Sequence, residues 1–250
     1  MKTILITGCS SGFGREIARF FLNRDWQVIA TMSTPRADTL PASDHLRILP
    51  LDVTDPDSIR KAVDAAGPID VLVNNAGIGA AAPLELTPAT LARELFETNT
   101  IGTMAVTQAV LPQFRQRHEG VIVNITSTVT LRPLPLLAMY TASKAAVNAF
   151  TESMALELAP LGIRVHLVLP GRSPETRFGD NARDNARAAG LDHAAYAELG
   201  QRFVAQLTSA EGPMTYAKDV AEATWRAVND AAAPMRIPAG EDAVTLAAAA

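Results

Sequence analysis

Tyr140 and Lys144 lie one helical turn apart in the run YTASK, within a stretch of small, helix-forming residues. Residues at positions i and i+4 of a helix have Cβ atoms about 5–6 Å apart. A positive charge that close to a phenol stabilises the tyrosinate by roughly 3 kcal/mol at an effective dielectric near 20, or about two pKa units. This would bring the phenol pKa from about 10 towards about 8, so the spacing predicts a tuned proton donor.

A second chemical motif is the glycine-rich run TGCSSGFG at 7–14, between an apolar β-branched stretch and a helical pattern. Gly8, Gly12 and Gly14 allow positive φ angles and a close approach of the backbone to a ligand. The amino terminus of a helix offers free N–H groups and a positive dipole to a phosphate. The run therefore predicts a pyrophosphate-binding loop, although tight turns also use glycine.

Short β-branched runs alternate with helical patterns along the chain. Strands that are apolar on both faces and separated by helices are typical of a doubly wound parallel sheet with helices on both faces. Helices are expected at 16–23, 88–115 and 140–159, and a start signal stands at Thr54-Asp55-Pro56. The strands are expected at 3–7, 27–31, 46–52, 69–75, 120–126 and 163–170.

The alternation breaks after the sixth strand, where about forty residues (171–213) contain no predicted strand. Part of this insertion is an amphipathic helix, because apolar residues recur every four positions at Leu191, Ala195, Leu199, Phe203 and Leu207. Ligands bind at the carboxyl ends of such strands, which favours a substrate lid over a surface excursion. The alanine-rich end, TLAAAA, is expected to fray.

The composition narrows the class of protein. The 250 residues are 48% hydrophobic and 19% charged, which suits one globular domain over 1–250. The net charge of −4 and the lack of a basic run argue against nucleic acid. The single cysteine, Cys9, and the lack of a long apolar run predict a cytoplasmic protein without a membrane span. No metal is predicted, since the four histidines are scattered.

Four motifs in order resemble the short-chain dehydrogenase/reductase family: the TGCSSGFG loop, NNAG at 74–77, YTASK at 140–144 and PG at 170–171. The resemblance extends from residue 3 to about residue 230. The wording KTILITGCSSGFG is similar to that of the branch with retinol and 17β-hydroxysteroid dehydrogenases and bacterial ketoreductases. The family implies a Rossmann-type sheet of about seven strands and an oxidoreductase that uses NAD(P)(H).

The resemblance also implies roles for individual residues. Tyr140 would be the acid/base, Lys144 its partner, Ser127 the holder of the substrate oxygen, and Asn99 the end of a proton relay. From the residues alone, Ser127 could instead form a strand-end turn, and Asn99 could be a polar residue inside a helix. The nucleotide would contact Tyr140 and Lys144 together with Gly8, Ser10, Ser11, Gly12, Phe13, Gly14, Ser33, Arg36, Asp52, Val53, Asn75, Ala76, Gly77, Pro170 and Gly171.

Two positions near the second strand depart from the family pattern. NAD-using relatives place an acid where Met32 stands, and NADP-using relatives often place an arginine where Ser33 stands. Because no acid repels a ribose phosphate and Ser33, Thr34 and Arg36 could bind one, we expect NADP, with NAD as the alternative. Asp25 stands where relatives often have glycine before this strand.

The substrate is expected to be an apolar or aromatic ketone, aldehyde or secondary alcohol. Three segments leave the carboxyl edge of the sheet: 77–86, 128–139 and the lid with Phe178. They offer mostly apolar side chains, with Leu131, Leu134, Leu136 and Leu137 either lining a pocket or packing the loop. Arg132 and Arg172 are exceptions, since either could meet a carboxylate.

Other readings of the same residues predict different activities. A dehydratase or epimerase could use this scaffold, and a regulator could bind NAD(P) without chemistry. The presence of Ser127, Tyr140 and Lys144 favours an enzyme over such a regulator. In relatives, the helices at 88–115 and 140–159 pair across a two-fold axis, so a homodimer or homotetramer is expected.

Overall fold

The computed structural model describes residues 1–173, 193–208 and 211–249. Seven strands form one parallel sheet in the order β3-β2-β1-β4-β5-β6-β7. They are β1 Thr3–Ile6, β2 Gln27–Met32, β3 Leu46–Pro50, β4 Val71–Asn74, β5 Gly120–Ile125, β6 Ile163–Pro170 and β7 Arg236–Ala239. This confirms the predicted doubly wound sheet and adds β7, which the sequence did not locate.

Helices cover both faces of the sheet, as predicted. Because the central strands β4 and β5 are buried throughout, one apolar cluster lies on each side of the sheet. The helices of the described residues are α1 Gly12–Leu22, α2 Pro56–Ala66, α3 Ala89–Phe96, α4 Gly102–Arg117, α5 Ala138–Leu158, α6 Ala197–Thr208, α7 Ala217–Asn229 and α8 Glu241–Ala248.

The helix predicted at 88–115 is divided in the structure. A π-helical turn, Glu97–Ile101, separates α3 from α4. Such turns insert an extra residue into a helix and are frequent at functional sites. Here the turn contains Asn99, whose side chain is buried. α4 then begins at Gly102, where a Cβ atom would lie 2.8 Å from the Val53 side chain, so glycine permits close packing.

The amphipathic helix predicted in the insertion is present as α6. Phe203 is buried, and Leu199 and Leu207 pack against the same apolar cluster, which also contains Leu137 and Tyr140. Leu191, the first residue of the predicted repeat, and Phe178 of the predicted lid lie outside the described residues. Ala195 is exposed and precedes α6. The apolar face of α6 therefore packs close to the proposed proton donor.

Three non-glycine residues of the described chain have positive φ angles: Asp25, His118 and Leu136. Asp25 has a φ of 57°, a left-handed conformation that glycine adopts without strain and aspartate tolerates. Leu136 has a φ of 65°, which is uncommon for a bulky residue.

The expectation that the carboxyl terminus frays is wrong. The residues through Ala248 form α8, which has Glu241 and Asp242 in its first turn. Acidic side chains there stabilise a helix through its dipole. Asp242 also accepts hydrogen bonds from the Arg172 amide (2.6 Å) and the Thr215 hydroxyl (2.7 Å), which hold α8 at the carboxyl edge of the sheet.

His166 of β6 makes the free energy of unfolding depend on pH. It is buried, and its Nδ1 donates to the carbonyl oxygen of Pro234 at 3.0 Å. Burial lowers the pKa of His166, and the positive charge of Arg164 lowers it further, against the hydrogen bond to Pro234 and the charge of Asp230. The folded protein therefore binds a proton at this site less readily than the unfolded chain.

We expect the free energy of unfolding to fall as the pH drops below about 6.5, since the unfolded chain is then protonated first. One histidine contributes at most about 1.4 kcal/mol per pH unit. His166→Asn keeps a donor for Pro234 and should reduce this pH dependence. Urea denaturation from pH 7.5 to 5.5 measures it. Equal pH dependence in both proteins would contradict the assignment.

Candidate active site

A cavity of about 990 Å³ lies at the carboxyl edge of the sheet. Its walls come from the segments that follow β1, β2, β3, β4, β5 and β6, together with α6 and α8. The sheet order reverses between β1 and β4, and ligands of doubly wound sheets bind at such a switch point.

The glycine loop forms one end of this cavity. Gly8 has a φ of 72°, and a Cβ atom there would lie 2.8 Å from the Ala76 Cα. Asn75 holds the loop, because its Nδ2 donates to the carbonyl oxygens of Thr7 (2.9 Å) and Gly8 (3.1 Å). The loop leads into the first turn of α1, whose backbone N–H groups can bind a pyrophosphate. This cradle fits a dinucleotide.

Gly14 has a packing role. It does not line the cavity, and a Cβ atom at this position would lie 2.4 Å from both the Gly8 oxygen and the Asn75 Nδ2. α1 can approach the loop closely only because this side chain is missing. Replacing Gly14 would therefore displace the loop that Gly8 and Asn75 shape.

The residues predicted to read the adenosine lie around the ends of β2 and β3. Ser33, Asp52 and Val53 line the cavity. Asp52 is held by its hydrogen bonds from the amide (2.9 Å) and hydroxyl (2.7 Å) of Thr54. Arg36 lies outside the cavity lining, and its guanidinium donates to the Ser10 carbonyl oxygen at 3.3 Å, which places a cation on the glycine loop.

Ser127 and Tyr140 form a hydrogen-bonded pair on the cavity wall. Ser127 is the second residue after the end of β5, and Tyr140 lies in the first turn of α5. Lys144 lies one turn further along α5, is buried, and donates from Nζ to the carbonyl oxygen of Ile125 at 3.0 Å. The strand end and the helix thus bring a hydroxyl, a phenol and an amine to one place.

Asn99 lies behind this group rather than on the cavity wall. Its Oδ1 accepts from the Ile78 amide at 2.8 Å, and its Nδ2 donates to the Ile78 carbonyl oxygen and to Ser143 Oγ, each at 3.0 Å. A Cβ atom on Gly77 would lie 3.0 Å from Asn99 Oδ1 and 3.4 Å from Lys144 Nζ. The π-helical turn therefore connects the NNAG segment to α5.

The pKa of Tyr140 differs from the expectation. Burial raises the pKa of the phenol above its ordinary value of 10.0, and the hydrogen bond from Ser127 only partly opposes this. The predicted fall towards about 8 is wrong for the polypeptide by itself, because removal of the phenol from water has the largest effect on its pKa. Burial also lowers the pKa of Lys144 from 10.5 to about 8.

Most residues predicted for catalysis or nucleotide binding line this cavity, whereas Gly14, Arg36 and Asn99 lie outside its lining. Of the leucines before Tyr140, Leu134 and Leu137 line it, while Leu136 is buried in the loop core. The predicted catalytic and nucleotide-binding residues that line the cavity are Gly8, Ser10, Ser11, Gly12, Phe13, Ser33, Asp52, Val53, Asn75, Ala76, Gly77, Ser127, Tyr140, Lys144, Pro170 and Gly171.

The contribution of α8 to the cavity was not predicted from the sequence. Asp242 and Leu246 both line the cavity, although the terminus was expected to fray. A Cβ atom on Gly171 would lie 2.1 Å from an Asp242 carboxylate oxygen, so the glycine of the PG motif makes room for α8. The helix-start signal Gly240-Glu241-Asp242 could have identified this helix.

The parallel sheet, the glycine cradle and the Ser127–Tyr140 pair beside a buried lysine define a dinucleotide-dependent oxidoreductase. A family model for short chain dehydrogenases matches residues 2–187. The chain belongs to this family.

Its relatives include other members of that family. The chain is 38% identical to the uncharacterized oxidoreductase YusZ of Bacillus subtilis over 214 residues, 81% of this chain and 76% of that one. It is 37% identical to human retinol dehydrogenase 8 over 181 residues, 68% of this chain and 58% of the relative.

Solved structures agree in fold. A short-chain dehydrogenase from Streptomyces avermitilis superposes with a TM-score of 0.84 and 31% identity, covering 99% of this chain and 92% of that one. A Burkholderia cenocepacia enzyme in complex with NADP has a TM-score of 0.78 and 25% identity, covering 99% and 93%. A Burkholderia phymatum enzyme in complex with NAD has a TM-score of 0.81 and 25% identity, covering 95% and 88%.

Among the described residues, no helix is long and apolar enough to cross a bilayer.

Proposed function

We propose that this chain, as one oxidoreductase domain over 1–250, transfers a hydride between a nicotinamide and an apolar or aromatic ketone, aldehyde or secondary alcohol. The observation that carries this proposal is the hydrogen-bonded Ser127–Tyr140 pair beside buried Lys144, on the wall of a cavity that begins at a glycine cradle. The bound nicotinamide supplies or accepts the hydride. The chain's own residues orient the carbonyl and move the proton.

Each catalytic role follows from its surroundings. Ser127 hydrogen bonds to Tyr140 and can also hold a carbonyl oxygen at the same place. Because burial keeps the phenol protonated at neutral pH, Tyr140 donates the proton to the developing alkoxide. Lys144, with a pKa of about 8, lies one turn away. It can return a proton to the Tyr140 phenolate through the polar region that Asn99 organises.

An apolar wall supports the proposed substrate class. Val129, Leu134, Leu137, Phe203 and Leu207 line the part of the cavity that adjoins Tyr140. A flat or extended hydrocarbon can displace water there. In support of a cytoplasmic location, the only cysteine of the sequence, Cys9, is buried and free, so the chain has no internal disulfide.

Tyr140→Phe keeps the ring and removes the transferable proton. We expect its turnover to fall at least about a hundredfold, the usual size of an acid/base contribution. The assay is NADPH and NADH oxidation against a panel of aryl and alkyl ketones, with nucleotide affinity measured by fluorescence. Unchanged affinity shows that the fold survives. Near wild-type turnover of Tyr140→Phe would refute the mechanism.

The same panel separates the other functions. A dehydratase or epimerase would change a substrate without net oxidation of NADPH, and a nucleotide-sensing regulator would bind NADPH without turning over any ketone. Neither result agrees with the proposed hydride transfer.

We propose NADPH as the preferred cofactor, with NADH also used. β2 ends at Met32 and is followed by Ser33 rather than by an acid, and Arg36 is held on the glycine loop through Ser10. A ribose phosphate would therefore meet the Ser33 hydroxyl and the Arg36 guanidinium as donors. No acid stands at Met32 or Ser33 to repel it. Solved relatives with NADP and with NAD both exist.

Ser33→Arg should strengthen the NADPH preference roughly ten- to a hundredfold, because a charge-assisted hydrogen bond contributes about 1.5–3 kcal/mol. Ser33→Asp is the matched variant and should favour NADH, since a carboxylate repels the phosphate. The measurement is kcat/KM with each cofactor. A tenfold or greater wild-type preference for NADH would be inconsistent with the donor argument.

We propose that α4 and α5 form the contact of a homodimer or homotetramer. Ile101, just before α4, is 47% exposed, and Leu156 of α5 is 80% exposed. Closed symmetric assembly is the common way to cover such side chains in oligomers.

We expect a dimer or tetramer mass by light scattering at micromolar concentration. Leu156→Lys places a charge in the contact and should shift the protein towards monomer, whereas Leu84→Lys changes another exposed leucine, 65% exposed, outside α4 and α5. A monomeric wild type, or equal effects of the two variants, would rule out this contact.

A further inference from the structure

We propose that Arg132 binds a carboxylate on the substrate, so that the preferred substrates are apolar carbonyl compounds with an acidic end. This inference rests on the proposed function and specifies its substrate class. The observation behind it is that Arg132 lines the cavity that contains Tyr140 and that its guanidinium has no hydrogen-bond or ion-pair partner among the described residues.

The backbone of Arg132 is fixed relative to the proposed catalytic group. Its backbone N–H donates to the Thr128 carbonyl oxygen at 3.1 Å, directly after the turn that follows Ser127. The far end of the same loop is held where the Ala82 amide donates to the Leu136 carbonyl oxygen at 2.8 Å. The left-handed conformation of Leu136 persists because this contact and its burial constrain it. The loop is therefore a built part of the cavity.

The other charged groups of this part of the cavity are already engaged. Lys144 donates to the Ile125 carbonyl oxygen. Arg172 donates from its guanidinium to the carbonyl oxygens of Gln206 (3.3 Å) and Glu211 (2.7 Å), so it holds the end of α6.

Asp242 is engaged as well, by the Arg172 amide and the Thr215 hydroxyl. Arg132 differs: within residues 1–173, 193–208 and 211–249, its exposed guanidinium makes no hydrogen bond or ion pair. Of the two arginines that the sequence suggested for a carboxylate, the structure therefore favours Arg132.

The side chains around Arg132 indicate what else the ligand must contain. Val129, Leu134 and Leu137 line the cavity on the same loop and the turn before it, and Phe203 and Leu207 line it from α6. An apolar body suits these five side chains, and a carboxylate suits the planar fork of a guanidinium, which binds it with two parallel hydrogen bonds. An amine at the same end of the substrate would be repelled.

The experiment uses three aryl ketone acids that differ in the length between carbonyl and carboxylate, 4-acetylbenzoate, 3-benzoylpropionate and 4-benzoylbutyrate, each against its methyl ester. For the best length, we expect wild-type kcat/KM to favour the acid roughly tenfold, the lower end for a charge-assisted hydrogen bond because Arg132 is exposed. Arg132→Gln should bring the ratio near one through KM, and Arg132→Lys should restore part of it. Lys61→Gln removes an exposed charge on α2 and should leave the ratio unchanged.

Calorimetric titration of each acid and ester into the NADP⁺-loaded protein gives a readout that does not need turnover. Weaker binding of the acid to Arg132→Gln than to the wild type supports the inference. Equal affinity of acid and ester in the wild type overturns it. Turnover of neutral ketones without an acid preference would leave the proposed function intact and refute only the role of Arg132. A 4-acetylphenyl phosphate arm tests the selectivity, and a preference for it over the acids would overturn the assignment of a carboxylate.

Discussion

Burial of the Lys144 ammonium at the carboxyl edge of the sheet is the constraint on which the site depends. Removing a charged ammonium group from water is unfavourable, and burial accordingly lowers the pKa of Lys144 to about 8. The Ile125 carbonyl oxygen, at the end of β5, accepts its hydrogen bond. Since a strand ends there and α5 packs beside it, the amine, the Tyr140 phenol and the Ser127 hydroxyl all have their positions set by the sheet.

The surrounding structure keeps this polar group in register. Asn99 connects Ile78, at the end of the NNAG segment, to Ser143 on α5 through its two amide atoms. The π-helical turn places Asn99 there, and Gly77 leaves the room that both Asn99 and Lys144 need. On the opposite side, Asp242 secures α8 beside Gly171. Helices from distant parts of the sequence thus close one cavity.

Local patterns in the sequence predicted the strands, the glycine loop and the Tyr140–Lys144 spacing, because each depends on neighbouring residues. The π-helical turn was not predictable from the apolar periodicity, because its first four residues, ETNT, are polar. The short strand β7 has only four residues and little pattern of its own. The pKa of Tyr140 was misjudged since burial depends on the whole fold. The sequence could not distinguish the roles of Arg132 and Arg172, because the hydrogen bonds that engage Arg172 depend on the folded position of α6.

The most direct test of hydride transfer is an isotope measurement with an aryl ketone and NADPH deuterated at nicotinamide C4 on either face. The account predicts that one face delivers a single deuterium to the carbinol carbon, with one NADPH consumed per alcohol and the hydroxyl proton drawn from solvent through Tyr140. Conversion of the ketone with no deuterium at that carbon from either labelled face, or without oxidation of NADPH, would contradict it.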